Sequence, residues 1–282
     1  MVAGSCLCGR VRYEVTGPFS MMGHCHCSMC RKHHGALFAT FVAAPVAAFR
    51  WLSGEDGIGD YESSPGGSRS FCRTCGSVTP LVLPQMDMVF IPAGNLAGDL
   101  GMKPEYHIFV ASKASWHEIT DDLRQHAQYQ PGFDVPPIER PVVVPKDGFT
   151  LGSCLCGDMA YEIEGRPLYV RNCHCSRCRR GRSAAHATNA FYTYEQFHWL
   201  RGEELVVDYK HAEARYFGTA FCSRCGGSAP RASRERGLVV VATGALDTDP
   251  QMRPYAHVYV GSKASWFEIT DDIPQFEEMK AP

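Results

Sequence analysis

Alternation of apolar and polar positions dominates this chain. Val11-Arg12-Tyr13-Glu14-Val15 sets apolar side chains on one side and charges on the other, and Met159-Ala160-Tyr161-Glu162-Ile163 keeps the same order. That period of two predicts half-buried strands. Leu37 to Val42, Met88 to Ile91, His107 to Val110, Leu238 to Val241 and His257 to Val260 are further strand candidates, closely punctuated by Gly and Pro. Helical periodicity is scarce. It predicts a short helical turn after Cys30 and after Cys178, and another starting at the Asp121-Asp122 and Asp271-Asp272 pairs.

The chain also aligns with itself. Gly4-Ser5-Cys6-Leu7-Cys8-Gly9 returns as Gly152-Ser153-Cys154-Leu155-Cys156-Gly157, and Cys25-His26-Cys27-Ser28-Met29-Cys30 returns as Cys173-His174-Cys175-Ser176-Arg177-Cys178. Phe71-Cys72-Arg73-Thr74-Cys75-Gly76 returns as Phe221-Cys222-Ser223-Arg224-Cys225-Gly226. Ser112-Lys113-Ala114-Ser115-Trp116 and Glu118-Ile119-Thr120-Asp121-Asp122 recur from Ser262 and Glu268. A period this long is a duplicated domain rather than a solenoid. The expected division is a first domain at 1–130, a linker at 131–148 carrying prolines 131, 136, 137, 141 and 145, and a second domain at 149–282, each with its own core.

A formal net charge of -2 argues against a polyanion partner and hence against nucleic acid. The start Met1-Val2-Ala3-Gly4-Ser5-Cys6 lacks the basic and apolar regions of a signal peptide, and no apolar run is long enough for a membrane helix. The expected location is the cytoplasm. Thiols stay reduced there, so the 14 cysteines point to metal rather than disulfides.

Seven cysteines per repeat divide into four and three. Zinc takes four tetrahedral ligands in closed structural sites, whereas three protein ligands leave a position for water or substrate. Cys6, Cys8, Cys72 and Cys75 form the expected closed set, with Cys154, Cys156, Cys222 and Cys225 in the second repeat. Gly76 after the second cysteine of its knuckle permits a tight turn. Cys25, Cys27 and Cys30, and likewise Cys173, Cys175 and Cys178, form the open set. Two alternatives stand beside this division. A fourth protein ligand such as His26, His33, His34 or a carboxylate closes the local cluster, or that cluster is itself the structural site.

These ordered motifs resemble the glutathione-dependent formaldehyde-activating enzyme family, also called the CENP-V/GFA domain, over nearly the whole of both repeats. The resemblance implies two tandem β-tent domains, mainly β with short helical turns, and about two zinc ions in each. It maps a structural zinc onto the four-cysteine set and a catalytic zinc onto the three-cysteine set. The activity it implies is addition of glutathione to formaldehyde, a carbon–sulfur lyase reaction written in reverse. An open zinc can hold an incoming thiol as thiolate, or polarise an aldehyde oxygen. Three thiolates make the metal a weak Lewis acid, which favours thiolate delivery.

Glutathione carries two carboxylates, so its site calls for cations. Arg31, Lys32 and Lys113 are candidates in the first repeat, and Arg179, Arg180 and Lys263 in the second. Trp116, Trp266, His107 and His257 read as structural, and Asp121 and Asp271 as helix caps. After the open cluster the first repeat runs Arg31-Lys32-His33-His34-Gly35, while the second is arginine-rich, which predicts a different anion or lost turnover there. A non-catalytic glutathione carrier and a zinc-stabilised binding module are the competing functions. The expected partner is a small thiol or thiol adduct; the sequence does not fix oligomeric state.

Overall fold

The structure, a computed structural model, describes residues 1–131 and 143–279. Most of the expected linker, 132–142, therefore lies outside the described residues. The alternating segments pair as their pattern predicts. In the first repeat, Arg12–Val15 lies between Val2–Ser5 and Phe49–Ser53 in a three-stranded antiparallel sheet. Its Tyr13 and Val15 are fully buried. A second sheet of six strands runs in the order Arg124–Gln125, Tyr106–Ile108, Met21–Cys25, Ala39–Pro45, Met88–Pro92, Leu81–Leu83. A hairpin of Ile58–Ser64 and Gly67–Cys72 completes the repeat. The second repeat reproduces all three sheets, from Phe149–Ser153 to Gln275–Phe276. The chain is therefore mainly β, in two similar sheet-rich halves.

One short helix interrupts each half. Helix α1 spans Ser28–His34 and helix α2 spans Ser176–Arg182, so each begins before the last cysteine of its cluster rather than after it. The caps account for the start: Cys27 Sγ accepts from the Cys30 amide at 3.3 Å, and Cys175 Sγ accepts from the Cys178 amide at 3.4 Å. No helix starts at the paired aspartates. Asp121 Oδ1 instead accepts from the Leu123 amide at 3.0 Å in a local turn, which leads into the edge strand Arg124–Gln125. The helix-cap reading of Asp121 and Asp271 is corrected accordingly. Among the described residues no helix is long and apolar enough to cross a membrane.

The expectation of a separate core in each repeat also needs correction. The largest apolar cluster joins Tyr13, Val42 and Ile91 of the first repeat with Tyr161, Tyr192 and Val241 of the second. The halves dock reciprocally. A Cβ on Gly94 would stand 2.2 Å from the Ala184 backbone nitrogen, and one on Gly244 would stand 2.2 Å from the Ala36 carbonyl oxygen. Each contact sets the turn after one strand of a repeat against the residues just past the other repeat's helix. Polar contacts flank them. His34 Nδ1 donates to the Arg182 carbonyl at 3.0 Å, Thr219 Oγ1 to the Cys75 carbonyl at 2.8 Å, and Ser77 Oγ to the Arg180 carbonyl at 2.9 Å.

The backbone on the far side of each glycine contact cannot move aside as a side-chain tip can. Gly94→Ala and Gly244→Ala are each expected to destabilise the protein by about 2 kcal/mol or more, the scale of an overpacked core. Urea unfolding of the full chain measures this, and an unchanged midpoint in either variant would contradict the docking described.

Candidate metal centres and the cleft between the repeats

The cysteines gather as four groups. The sulfur atoms of Cys6, Cys8, Cys72 and Cys75 lie within 4.8 Å of one another, as do those of Cys154, Cys156, Cys222 and Cys225. The trios Cys25, Cys27, Cys30 and Cys173, Cys175, Cys178 meet the same limit. All 14 thiols are free. Sulfurs about 2.3 Å from a tetrahedral zinc stand roughly 3.8 Å apart. Cys6–Cys8 and Cys8–Cys72 are separated by 3.4 and 3.8 Å, and Cys154–Cys156 and Cys156–Cys222 by 3.3 and 3.9 Å. The donor type and spacing fit zinc, so each half could bind it.

The two kinds of group are built differently. The four-sulfur group joins the loop after the first strand to the end of the hairpin. Backbone amides turn toward its sulfurs, Val11 to Cys6 at 3.3 Å and Met159 to Cys154 at 3.4 Å. Gly76, at φ 72°, makes the turn beyond Cys75 and lies against the Phe221 ring of the other repeat. The three-sulfur group sits at the end of the strand Met21–Cys25 and on the first turn of α1. Hydrogen bonds from Cys25 and Cys30 hold the Cys27 thiol well below its ordinary range, and Cys173 and Cys178 push Cys175 down to about 3.

Among the described residues, no fourth Cys, His, Asp or Glu joins either trio. One ring nitrogen of each histidine expected for that position is engaged elsewhere. His26 Nε2 and His107 Nδ1 share a hydrogen bond at 2.8 Å, and His107 Nε2 donates to Asp121 at 2.9 Å. His174, His257 and Asp271 form the same chain in the second repeat. His33 reaches the Ser70 carbonyl at 3.4 Å, and His34 crosses to the second repeat.

The cations expected to meet glutathione have diverse places. Lys32 is buried and pairs with Asp247 of the other repeat at 2.6 Å, with a further bond to the Ser153 carbonyl at 2.9 Å. It bridges the repeats. Arg31 is buried over the Trp116 ring at 5.5 Å, with Nε and Nη1 unpartnered. Lys113 Nζ donates to the His117 carbonyl at 2.5 Å, and Lys263 donates likewise to the Phe267 carbonyl. Arg179 Nε donates to the Ser262 carbonyl at 3.2 Å, and Arg180 is half-buried at the repeat interface.

The chain matches the family described as glutathione-dependent formaldehyde-activating enzyme at residues 1–112 and again at 150–262. It belongs to that family. A protein of Halomonas elongata, named provisionally as a glutathione-dependent formaldehyde-activating enzyme, is 30% identical over 128 residues, which cover 42% of this chain and 81% of that protein. The crystal structure of a Rhodobacter sphaeroides protein is similar at 27% identity, covering 34% of this chain and 89% of that one, with a TM-score of 0.30. The family is thus present twice in one chain.

Two features of this family member were not anticipated from sequence. Arg69 Nη1 donates to Cys30 Sγ at 3.4 Å and its Nε to Ser63 Oγ at 3.0 Å. The residue that aligns with it in the second repeat is Thr219; comparing Arg69-Ser70-Phe71-Cys72 with Thr219-Ala220-Phe221-Cys222 held that signal. The other feature is a cleft of about 1050 Å³ between the repeats, walled by the Glu-Ile-Thr-Asp segments of both and by Lys113, Ser115 and Trp116 of the first. Thr120 and Thr270 meet across it at 2.5 Å. No cysteine lines it, and imidazoles of His24, His117 and His186 do.

Burial pushes His186 down to about 3 and His34 down to about 4. Both are neutral in the folded state near neutral pH, while the unfolded chain takes up protons as pH falls through about 6.5. Stability is therefore lost as pH drops below that value, by about 1.4 kcal/mol per pH unit for each such group. His186→Phe places a phenyl where the first repeat already has Phe38. It is expected to reduce the stability lost between pH 7 and 5 by about 2 kcal/mol, read from urea unfolding at both pH values. An unchanged loss would show that His186 is protonated in the fold.

Proposed function

We propose that this protein is a zinc-dependent carbon–sulfur lyase or synthase acting on a thiol adduct, that of glutathione with an aldehyde such as formaldehyde. The observation that carries this reading is the sulfur trio, which no fourth Cys, His, Asp or Glu joins among the described residues. The four-sulfur groups are the structural sites, since each ties the start of its repeat to a hairpin more than sixty residues later. Metal binding there counts as folding free energy, on the order of 10 kcal/mol. The trios are the open sites. Zinc held there supplies a position at which an incoming thiol is bound as thiolate near neutral pH.

The chain's own residues shape that position. Cys27 and Cys30 are fixed by the first turn of α1, and Cys25 by the strand that pairs with Ala39–Pro45. The Asp121–His107–His26 chain locks the strand Tyr106–Ile108 beside Cys25, where Ile108 and Cys25 are register partners. Arg31 and Lys113 are the cations proposed to meet glutathione carboxylates in the first repeat, and Arg179, Arg180 and Lys263 those in the second. The orphaned Nε and Nη1 of Arg31 support its choice, because buried guanidinium donors without partners are costly.

Metal analysis of the purified chain is expected to give about four zinc ions, two per repeat. Formation of S-(hydroxymethyl)glutathione, followed by NMR, tests the reaction. Cys27→Ser is expected to keep the fold, lose about one zinc and lower turnover, whereas Cys6→Ser destabilises the whole chain by several kcal/mol. A Cys27→Ser chain that fails to fold beside a stable Cys6→Ser chain would reverse the two assignments. A metal content of about two per chain, with no turnover, would leave a pair of zinc-stabilised binding modules.

A further inference from the structure

The two sulfur trios are alike in spacing and unlike in surroundings. In the first repeat all three cysteines are buried, and Arg69 donates to Cys30 Sγ. Arg69 lies on the hairpin strand Gly67–Cys72, three residues before a cysteine of the four-sulfur group. In the second repeat Cys175 is only half-buried. Thr219 stands in place of Arg69 and spends its hydroxyl on the Cys75 carbonyl across the interface. Arg182, the last residue of α2, donates to Ser228 Oγ at 2.5 Å and Asn189 Oδ1 at 3.4 Å. Among the described residues, no guanidinium is seen to donate to a sulfur of the second trio.

We propose that Arg69 is a positioning residue that makes the trio Cys25, Cys27, Cys30 the tighter and working zinc site, and that the trio Cys173, Cys175, Cys178 is the weaker one. This rests on the reading of the trios as open zinc sites. The physical reason is charge. Three thiolates on a divalent ion leave a net charge of about -1, and a bound thiolate substrate makes it about -2, in a place shielded from water. A guanidinium hydrogen-bonded to one sulfur offsets that charge and fixes the sulfur's direction. Arg31 and Arg179 align between the repeats, and among the described residues neither is seen to donate to a sulfur of its trio. Partners of this kind, one bond removed from the metal, carry roughly 10- to 100-fold in metal affinity.

The test uses the full chain loaded with cobalt(II) in place of zinc. A Cys175→Ser background reports the first trio, and a Cys27→Ser background reports the second, each by its sulfur-to-cobalt charge-transfer band under chelator competition. The first trio is expected to hold cobalt roughly 10- to 100-fold more tightly than the second. Arg69→Leu is expected to remove that advantage and move the first trio's band to longer wavelength, because an unbonded thiolate gives up charge more readily. The second trio should be unaffected, and Arg69→Lys should recover part of the affinity. Equal affinities in the two backgrounds, or an Arg69→Leu band and affinity unchanged, would overturn the inference while leaving the open-site reading intact. The comparison of the two backgrounds needs no variant at Arg69 to fold. If neither trio binds cobalt, the open-site reading itself fails.

Discussion

Glycine against backbone is the contact on which the arrangement of this molecule depends. At Gly94 and Gly244 the turn of one repeat lies so close to the chain after the other repeat's helix that no side chain fits between them. Apolar surface from both halves then merges into one cluster, and the helices are covered on the side a lone domain would leave to water. A seven-residue helix is marginal by itself. Here it is held by its sulfur cap at one end, by Gly35 in the left-handed conformation at the other, and by the opposite repeat along its length. Two of the three sulfurs of the open trio ride on that helix or its cap. Docking of the repeats is thereby part of the architecture of the sulfur trio.

The same constraint explains why matching positions took different residues. With α1 and α2 facing inward, the aligned cations Lys32 and Arg180 diverge. Lys32 finds Asp247, whereas the position aligned with Asp247 in the first repeat is Ala97 and Arg180 has no such carboxylate. The cleft shows a different kind of divergence. Phe38 faces His117 with ring centroids 5.5 Å apart, and Phe267 faces His186 at 5.4 Å. The aligned positions have exchanged ring types: Phe38 matches His186, and His117 matches Phe267. Each half thus keeps one phenyl and one imidazole against each other, an exchange that preserves shape while moving the polar nitrogens.

Much of this was legible in the sequence because it is local. Period-two alternation marked Arg12–Val15 and Ala160–Glu164, and the cysteine spacings marked all four sulfur groups, since a metal knuckle is written within a few residues. What failed was long-range. Asp121 resembled a helix cap because Asx residues cap turns and helices alike, and only its pairing with His107 separates the two. The Asp247 partner of Lys32 was equally hidden, since nothing near Lys32 in sequence names it. Arg69 was passed over for the same reason: its sulfur is Cys30, 39 residues away.

The hairpin that ends at Cys72 ties these threads together. It enters one sulfur group through Cys72 and touches the other through Arg69, with Ser70 accepting from His33 of α1 between them. Closing the four-sulfur group therefore does more than hold the fold, because it fixes the strand that carries a positive charge to the trio. In the second repeat the same strand still ends at Cys222, but Thr219 turns the free position toward Cys75 of the first repeat. One copy of the hairpin serves its own open trio and the other serves the joint between repeats. A duplicated chain can make that division only after the joint is closed, since Thr219 has no Cys75 carbonyl to meet in a single domain.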